Sequence, residues 1–208
     1  VGVNFLAQQQ ARPPAIFDPP AGAVQVSPLI PGAAALETVA PGSAEAVFVH
    51  APPGVRERRH VLALALTALK PGGRLTAVAP KDRGGSRLGK ELAGFGLEVA
   101  EDAKAHHRRC VVVRPDTLEG LDRALTEGGP RFDPGLGAWT QPGIFAWDRI
   151  DAGSVRLAEH LPALKGAGAD LGCGFGALSA VVLRSPQVTS LRLIDLDRRA
   201  VEAARRNV

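Results

Sequence analysis

The sequence contains no tyrosine, and only 4% of its residues are aromatic. Proteins that hold single-stranded RNA by stacking its bases on aromatic rings need such side chains, so a stacking platform is not expected here. The two cysteines, Cys110 and Cys173, have no second Cys or His at the spacing of metal ligands. The small number and wide spacing of the cysteines predict a protein without a bound metal, in a reducing cytoplasm.

Long apolar runs are also missing, and none approaches the roughly 18 residues that a membrane helix requires. The first ten residues lack the basic stretch and apolar core of a secretory signal. With 25 basic and 21 acidic residues, the formal net charge is +4. That small excess is compatible with a nucleic-acid partner but does not require one. We expect no membrane association, and a monomer is favoured.

The first part of the sequence alternates between strand and helix patterns. The first 43 residues are rich in proline and glycine, and only Val24–Val26 is expected to form a strand there. Beyond them, apolar runs and amphipathic stretches predict strands at 46–50, 74–79 and 110–114 and helices at 55–70, 84–95 and 117–126. Such alternation predicts an α/β domain with a mainly parallel sheet. The charged start of the first helix, with Arg56, Arg58, Arg59 and His60, is interpreted as a solvated face in preference to an RNA contact.

Glycine and proline cluster between residues 128 and 143, which predicts a domain boundary. We expect a first domain over 1–131, a linker over 132–142 and a second domain over 143–208. The second domain is predicted to contain helices at 152–161, 177–184 and 198–207 and strands at 167–171 and 189–194. A doubly wound domain needs more than two strands, so the second domain is expected to be incomplete in this chain.

The most informative segment runs from Asp170 to Gly176, Asp-Leu-Gly-Cys-Gly-Phe-Gly, where a predicted strand turns into a predicted helix. Glycines allow tight turns and a close backbone approach to a ligand, and the N–H groups at a helix start favour negative charge. Asp195 follows the next strand, where a carboxylate can accept hydrogen bonds from the ribose of an adenosine-type cofactor. The acid Asp170 before the first glycine favours S-adenosylmethionine (SAM). A dinucleotide such as NAD(P), or a glycine turn without any ligand, stays open.

The segment Pro142–Ser154, the glycine loop and Ile194-Asp195 resemble the ribosomal RNA small subunit methyltransferase C family. The resemblance implies two tandem Rossmann-like methyltransferase domains, of which the first is degenerate and has lost its cofactor site. It also implies methyl transfer from SAM to the N2 amine of a guanine in small-subunit ribosomal RNA. The corner Leu69–Leu75, typical of the later half of a methyltransferase sheet, precedes the glycine loop, as a degenerate first copy would require.

The resemblance also assigns site residues. The expected cofactor-binding residues are Asp170, Gly172, Gly174, Gly176, Asp195, Phe145, Asp151 and Ser154. Four cations of the first domain are expected to contact RNA phosphates, namely Lys81, Arg83, Arg87 and Lys90. The family's Asn-Pro-Pro-aromatic motif does not occur within these 208 residues. No residue is therefore predicted to be catalytic, and the chain alone is expected to be inactive.

Two further hypotheses remain open at this point. The chain could be a non-catalytic module that binds RNA or a partner subunit through its first domain. It could also be a circularly permuted methyltransferase, in which residues 45–114 supply the later half of a single sheet. The permuted arrangement predicts one continuous sheet, and two separate cores would contradict it.

Overall fold

A computed structural model describes residues 5–8, 14 and 16–208 of the chain. The contacts between residues divide the chain into two compact units, Val1–Gly129 and Pro130–Val208, called here the first and second units. Each unit has its own sheet and its own cluster of buried apolar residues. The permuted single-sheet hypothesis is therefore wrong for the described residues.

The first unit contains six strands and three α-helices within its described residues. The strands are β1 (Phe5–Gln8), β2 (Val24–Val26), β3 (Ala44–His50), β4 (Leu69–Pro80), β5 (Ala100–Lys104) and β6 (His107–Val113). The helices are α1 (Val55–Ala68), α2 (Gly85–Ala93) and α3 (Leu121–Gly128), and short 3₁₀ turns occupy Leu36–Thr38 and Lys81–Arg83.

These strands form one sheet in the order β2-β1-β3-β4-β6-β5. The pairs β1–β2, β1–β3 and β3–β4 are parallel, whereas β6 runs antiparallel to both β4 and β5. The sheet is thus mixed, while the sequence pattern predicted a mainly parallel one. The difference arises at β5 and β6, which are joined by a two-residue turn that forces the strands to run in opposite directions.

Strand register builds the core of the first unit. Val47 lies beside Leu75, which lies beside Val112, so these three side chains form one row across the sheet. Two residues further along the strands, a second row contains Val49, Ala77 and Cys110. Because side chains alternate between the faces of a sheet, both rows lie on the same face. They are buried in one cluster with leucines of α1 and α2, namely Leu62, Leu66, Leu88 and Leu92.

Sequence patterns did not predict strand β5, because all five of its residues are exposed and no apolar alternation marks it. The strand is held by pairing with β6 and by ion pairs between the two strands, Glu101 with Arg108 at 3.2 Å and Asp102 with Arg109. The turn between the strands places Ala105 and His106 at positive φ, 48° and 60°. This is the backbone of a tight hairpin turn, here formed without glycine.

The expected solvated face at the start of α1 is wrong for Arg58 and His60, which are 0% and 7% exposed. The Arg58 guanidinium donates to both carboxylate oxygens of Glu91 on α2, at 2.6 and 2.7 Å. Its remaining nitrogen donates to the carbonyl oxygens of Pro52 and Pro53 at 3.0 and 2.7 Å. These bonds satisfy the charge, which explains why an arginine can be buried here.

The second unit contains two small sheets and three helices. A parallel pair consists of β9 (Gly166–Leu171) and β10 (Val188–Ile194), and an antiparallel hairpin consists of β7 (Arg131–Asp133) and β8 (Ala138–Thr140). The helices are α4 (Ala152–His160), α5 (Ala177–Val182) and α6 (Arg198–Asn207). The hairpin occupies residues that the sequence assigned to a linker, because an aspartate turn at Asp133 closes it: the carboxylate accepts from the amides of Gly135 and Leu136.

The buried cluster of the second unit is small and contains Ile144, Phe175, Ala200 and Ala203. Alanines of α6 let that helix lie close to the loop that carries Phe175. Among the described residues, no helix is long and apolar enough to cross a membrane.

We predict that Arg58→Ala destabilises the first unit by about 3–5 kcal/mol, because it leaves the Glu91 carboxylate buried without its partner. The double variant Arg58→Met/Glu91→Leu is expected to recover most of that loss. Urea unfolding of the full-length protein, with hydrogen exchange in α1 and α2 as the local probe, measures both effects.

The exposed pair Lys70–Glu45, with nitrogen and oxygen 2.7 Å apart, is the matched control. Because that pair is about half exposed, Lys70→Ala is expected to change stability by no more than about 1 kcal/mol. An Arg58→Ala variant as stable as Lys70→Ala would contradict the prediction.

Candidate functional site

The candidate site lies where β9 and β10 end. The two strands are parallel and in register up to Leu171 and Ile194, so their carboxyl ends meet at one edge. The carbonyl oxygen of Ile194 accepts hydrogen bonds from the amides of Gly172 and Cys173, at 2.8 and 3.0 Å. The loop that follows β9 is thereby attached to the end of β10. In open α/β sheets, ligands bind at this edge.

The carboxylate of Asp195 orders the loop further. One oxygen accepts from the amide of Gly174 at 2.8 Å, and the other accepts from the amide of Asp197 at 2.9 Å. Each carboxylate oxygen has a second lone pair, so both can accept another hydrogen bond from a ligand. Asp195 therefore combines a structural role with a free acceptor capacity at the edge of the sheet.

Asp170 is fixed from the other side of the loop. Its carboxylate accepts a hydrogen bond of 2.6 Å from the hydroxyl of Ser179, which is fully buried on α5. The hydrogen bond joins the end of β9 to the helix after the loop, across the glycines. Asp170 is thus held in one orientation before any ligand arrives.

The three glycines of the loop have positive φ, of 78° at Gly172, 54° at Gly174 and 89° at Gly176. A Cβ atom at Gly172 or Gly174 would point into open space, with nothing within 4 Å. At Gly176 a Cβ atom would lie 3.2 Å from the Cβ of Ala204 on α6. The first two glycines therefore keep the backbone open toward a ligand, whereas the third allows a close approach of α6.

Six of the eight expected cofactor-binding residues line one cleft of about 70 Å³, namely Phe145, Asp151, Ser154, Asp170, Gly172 and Gly174. Gly176 and Asp195 do not line it: Gly176 packs on α6, and Asp195 is joined to the cleft through its hydrogen bond to the amide of Gly174. Phe145 is 70% exposed at the cleft. Asp151 caps α4 by accepting from the amide of Ser154 at 3.0 Å, which fixes both residues at the wall.

The thiol of Cys173 also lines the cleft, and it is 7% exposed. Burial raises its pKa to about 11, and the neighbouring carboxylates of Asp195 and Asp170 add to the rise. A thiol with such a pKa is protonated at neutral pH and is a poor nucleophile. The cysteine is therefore a small packing residue of the loop.

The four expected RNA-contacting cations lie in the first unit, on the turn Lys81–Arg83 and on α2. All four side chains are exposed. Within the described part of the chain, no group of three or more His, Cys, Asp or Glu side chains is placed to hold a metal ion.

Sequence reasoning missed Asn207, the last residue of α6, whose carboxamide contacts both the glycine loop and the β7–β8 hairpin. No local motif marks this residue, and only the packing of α6 against the loop reveals it.

The fold and the glycine loop are those of a methyltransferase. The model of the methyltransferase small domain family matches residues 135–208. The architecture agrees with a solved structure described as T. thermophilus 16S rRNA N2 G1207 methyltransferase in complex with AdoMet and guanosine. That structure aligns with a TM-score of 0.66 at 22% identity, over 84% of this chain and 49% of the other. The chain thus has an α/β methyltransferase fold with a mixed sheet.

Two relatives carry the same family name. Ribosomal RNA small subunit methyltransferase C of Pseudomonas paraeruginosa is 35% identical over 188 residues, which cover 87% of this chain and 56% of that protein. The enzyme of the same name from Aeromonas hydrophila is 28% identical over 174 residues, 79% of this chain and 49% of its own length. The chain is thus similar to the ribosomal RNA small subunit methyltransferase C family over most of its residues, and it spans about half the length of these relatives.

We expect Cys173 to resist alkylation in the folded protein. At pH 8 a thiol of pKa about 11 is roughly a hundredfold less ionised than an ordinary cysteine of pKa about 8.5–9. Iodoacetamide labelling at pH 8, read by mass spectrometry of the Cys173 peptide, should be negligible in buffer and complete in guanidinium chloride. Labelling in buffer at the rate of a free thiol would contradict the assigned environment.

Proposed function

We propose that the chain is part of a SAM-dependent methyltransferase that modifies the N2 amine of a guanine in small-subunit ribosomal RNA. The observation that carries the proposal is the glycine loop, which Asp195 holds open at the carboxyl edge of β9 and β10. Similarity to the ribosomal RNA small subunit methyltransferase C family supports it, and the enzyme is proposed to work in the cytoplasm.

The cleft residues fit a SAM molecule. Gly172 and Gly174 have open space where a side chain would stand, so the cofactor can approach their backbone. The Asp195 carboxylate has free lone pairs for ribose hydroxyls, and Asp170 would lie near the amino-acid moiety. Phe145, Asp151 and Ser154 would form the opposite wall. Bound SAM would supply an electrophilic methyl group for transfer to the guanine amine.

The first unit is proposed to be a methyltransferase-like copy that binds no cofactor, with the second domain beginning after a boundary near residues 132–142. Arg58 supports this assignment. Its buried guanidinium bonds the carbonyls of Pro52 and Pro53, directly after β3. That is the edge of the sheet at which α/β proteins hold ligands, and here a side chain of the protein itself fills it. The chain alone would be inactive, because the Asn-Pro-Pro-aromatic motif is not among its residues.

The cations Lys81, Arg83, Arg87 and Lys90 are proposed to contact RNA phosphates. Other exposed cations of the first unit pair with carboxylates, including Lys70, Arg109 and Arg123. Among the residues that the structure describes, the four proposed cations have no such ion pair. Unpaired and exposed charges on one turn and helix are available to the backbone of a nucleic acid.

Calorimetric titration of the full-length protein tests the cofactor. We expect SAM to bind and NAD to give no signal. Asp195→Ala should weaken SAM binding by about tenfold or more, because it removes an acceptor for the cofactor and releases the amide of Gly174. Asp148→Ala is the control, since that exposed carboxylate pairs only with Arg149 beside it. NAD binding without any response to SAM would overturn the proposal, and so would an unchanged affinity in Asp195→Ala.

RNA binding is tested by the salt dependence of the affinity of full-length protein for small-subunit ribosomal RNA. We expect Arg83→Ala/Arg87→Ala to weaken binding on the order of tenfold at low salt and to reduce the slope of log K against log salt by roughly 1.5. The charge-matched control Lys70→Ala/Arg123→Ala removes two cations that already have carboxylate partners. Equal effects of the two double variants would contradict a specific contact at the turn and α2.

A further inference from the structure

Asn207 joins three parts of the second unit through one side chain. Its carboxamide oxygen accepts from the amide of Trp139 at 2.7 Å, and its nitrogen donates to the carbonyl of Trp139 at 2.9 Å. The same nitrogen donates to the carbonyl of Phe175 at 2.8 Å. The last turn of α6 is thereby bonded to the middle of strand β8 and to the glycine loop.

The orientation of this carboxamide is determined by its partners. A primary amide has two N–H donors and one oxygen acceptor. Here both donors meet carbonyl oxygens, and the oxygen meets an N–H group. A flipped side chain would set its oxygen against two carbonyl oxygens, so only one orientation satisfies all three bonds.

The surrounding contacts leave the loop little freedom at this point. Gly176 follows Phe175, and a Cβ atom there would lie 3.2 and 3.3 Å from the Cβ and Cα of Ala204. Phe175 itself is 5% exposed and packs with Ala200 and Ala203 of α6. The carboxyl-terminal half of the loop therefore rests on α6, whereas Asp195 holds its amino-terminal half through Gly174.

We infer that Asn207 is a positioning residue, which sets the shape of the glycine loop and so the affinity for SAM without touching the cofactor. The inference rests on the proposed function, because it concerns the cofactor site of that function. Asp195 and Asn207 act on opposite halves of one loop. Losing the carbonyl bond at Phe175 lets the segment Phe175–Gly176 move, and the loop backbone that lines the cleft then loses its fixed position.

The test compares Asn207→Ala and Asn207→Asp in the full-length protein, with Arg205→Ala as the control on the same helix. Arg205 is exposed and has no ion pair among the described residues. SAM dissociation constants come from calorimetry, and KM and kcat from methyl transfer to ribosomal RNA. Thermal unfolding and the hydrogen exchange of the Trp139 amide report the local structure.

Asn207→Ala is expected to raise the dissociation constant and the KM for SAM about tenfold, with kcat at saturating SAM within about twofold of wild type. Asn207→Asp should bind SAM more weakly still, because the substitution replaces the nitrogen with its two donors by an oxygen that faces two carbonyl oxygens. Asn207→Ala should lose protection at the Trp139 amide, whereas Asn207→Asp should keep it through the remaining acceptor oxygen. Arg205→Ala should match wild type throughout.

A purely structural role would give lower melting temperatures with unchanged SAM affinity in folded protein, and that result would overturn the inference. If Asn207→Ala does not fold, the aspartate variant carries the same comparison. Failure of the wild-type protein to bind SAM would instead overturn the proposed function. The two failures are thus distinguishable, since one appears in the wild type and the other only in the variants.

Discussion

The hydrogen bond between the Asp195 carboxylate and the amide of Gly174 is the interaction on which the candidate site depends. It exists because β9 and β10 pair in parallel and end together, so a carboxylate after one strand reaches the loop after the other. The loop is rich in glycine and would otherwise have many conformations, which makes an external attachment necessary. With Asp170 fixed by Ser179 on the far side, the site is ordered before a ligand binds.

The residues that follow the parallel strands differ between the two units. In the second unit, small residues and backbone amides leave the edge open. In the first unit, the Arg58 guanidinium bonds the loop after β3, and Glu91 neutralises its charge. Strand arrangement therefore says little about ligand binding by itself, and the side chains at the strand ends decide whether a crevice exists.

Sequence patterns predicted most elements because apolar periodicity and glycine turns mark them directly. The strands β3, β6, β9 and β10 and all six helices lie within a few residues of their predicted positions. Patterns failed where long-range contacts decide the outcome. Strand β5 forms only because β6 and its arginines lie beside it. The burial of Arg58 depends on Glu91, which is 33 residues away. The glycine loop could be predicted from its own sequence. The contact with Asn207 could not, because it depends on how α6 packs.

The pairing of Arg58 with Glu91 has a consequence for how this sequence can change over generations. Either residue without the other would leave an unpaired charge in the core and destabilise the fold. A replacement at one position is therefore tolerated only if the other changes as well. The two positions are therefore coupled. A change at this pair requires either two substitutions together or an intermediate of lower stability. Single mutations are not expected to persist at this pair, and the contacts of Arg58 with the loop after β3 are expected to be retained as long as Glu91 is.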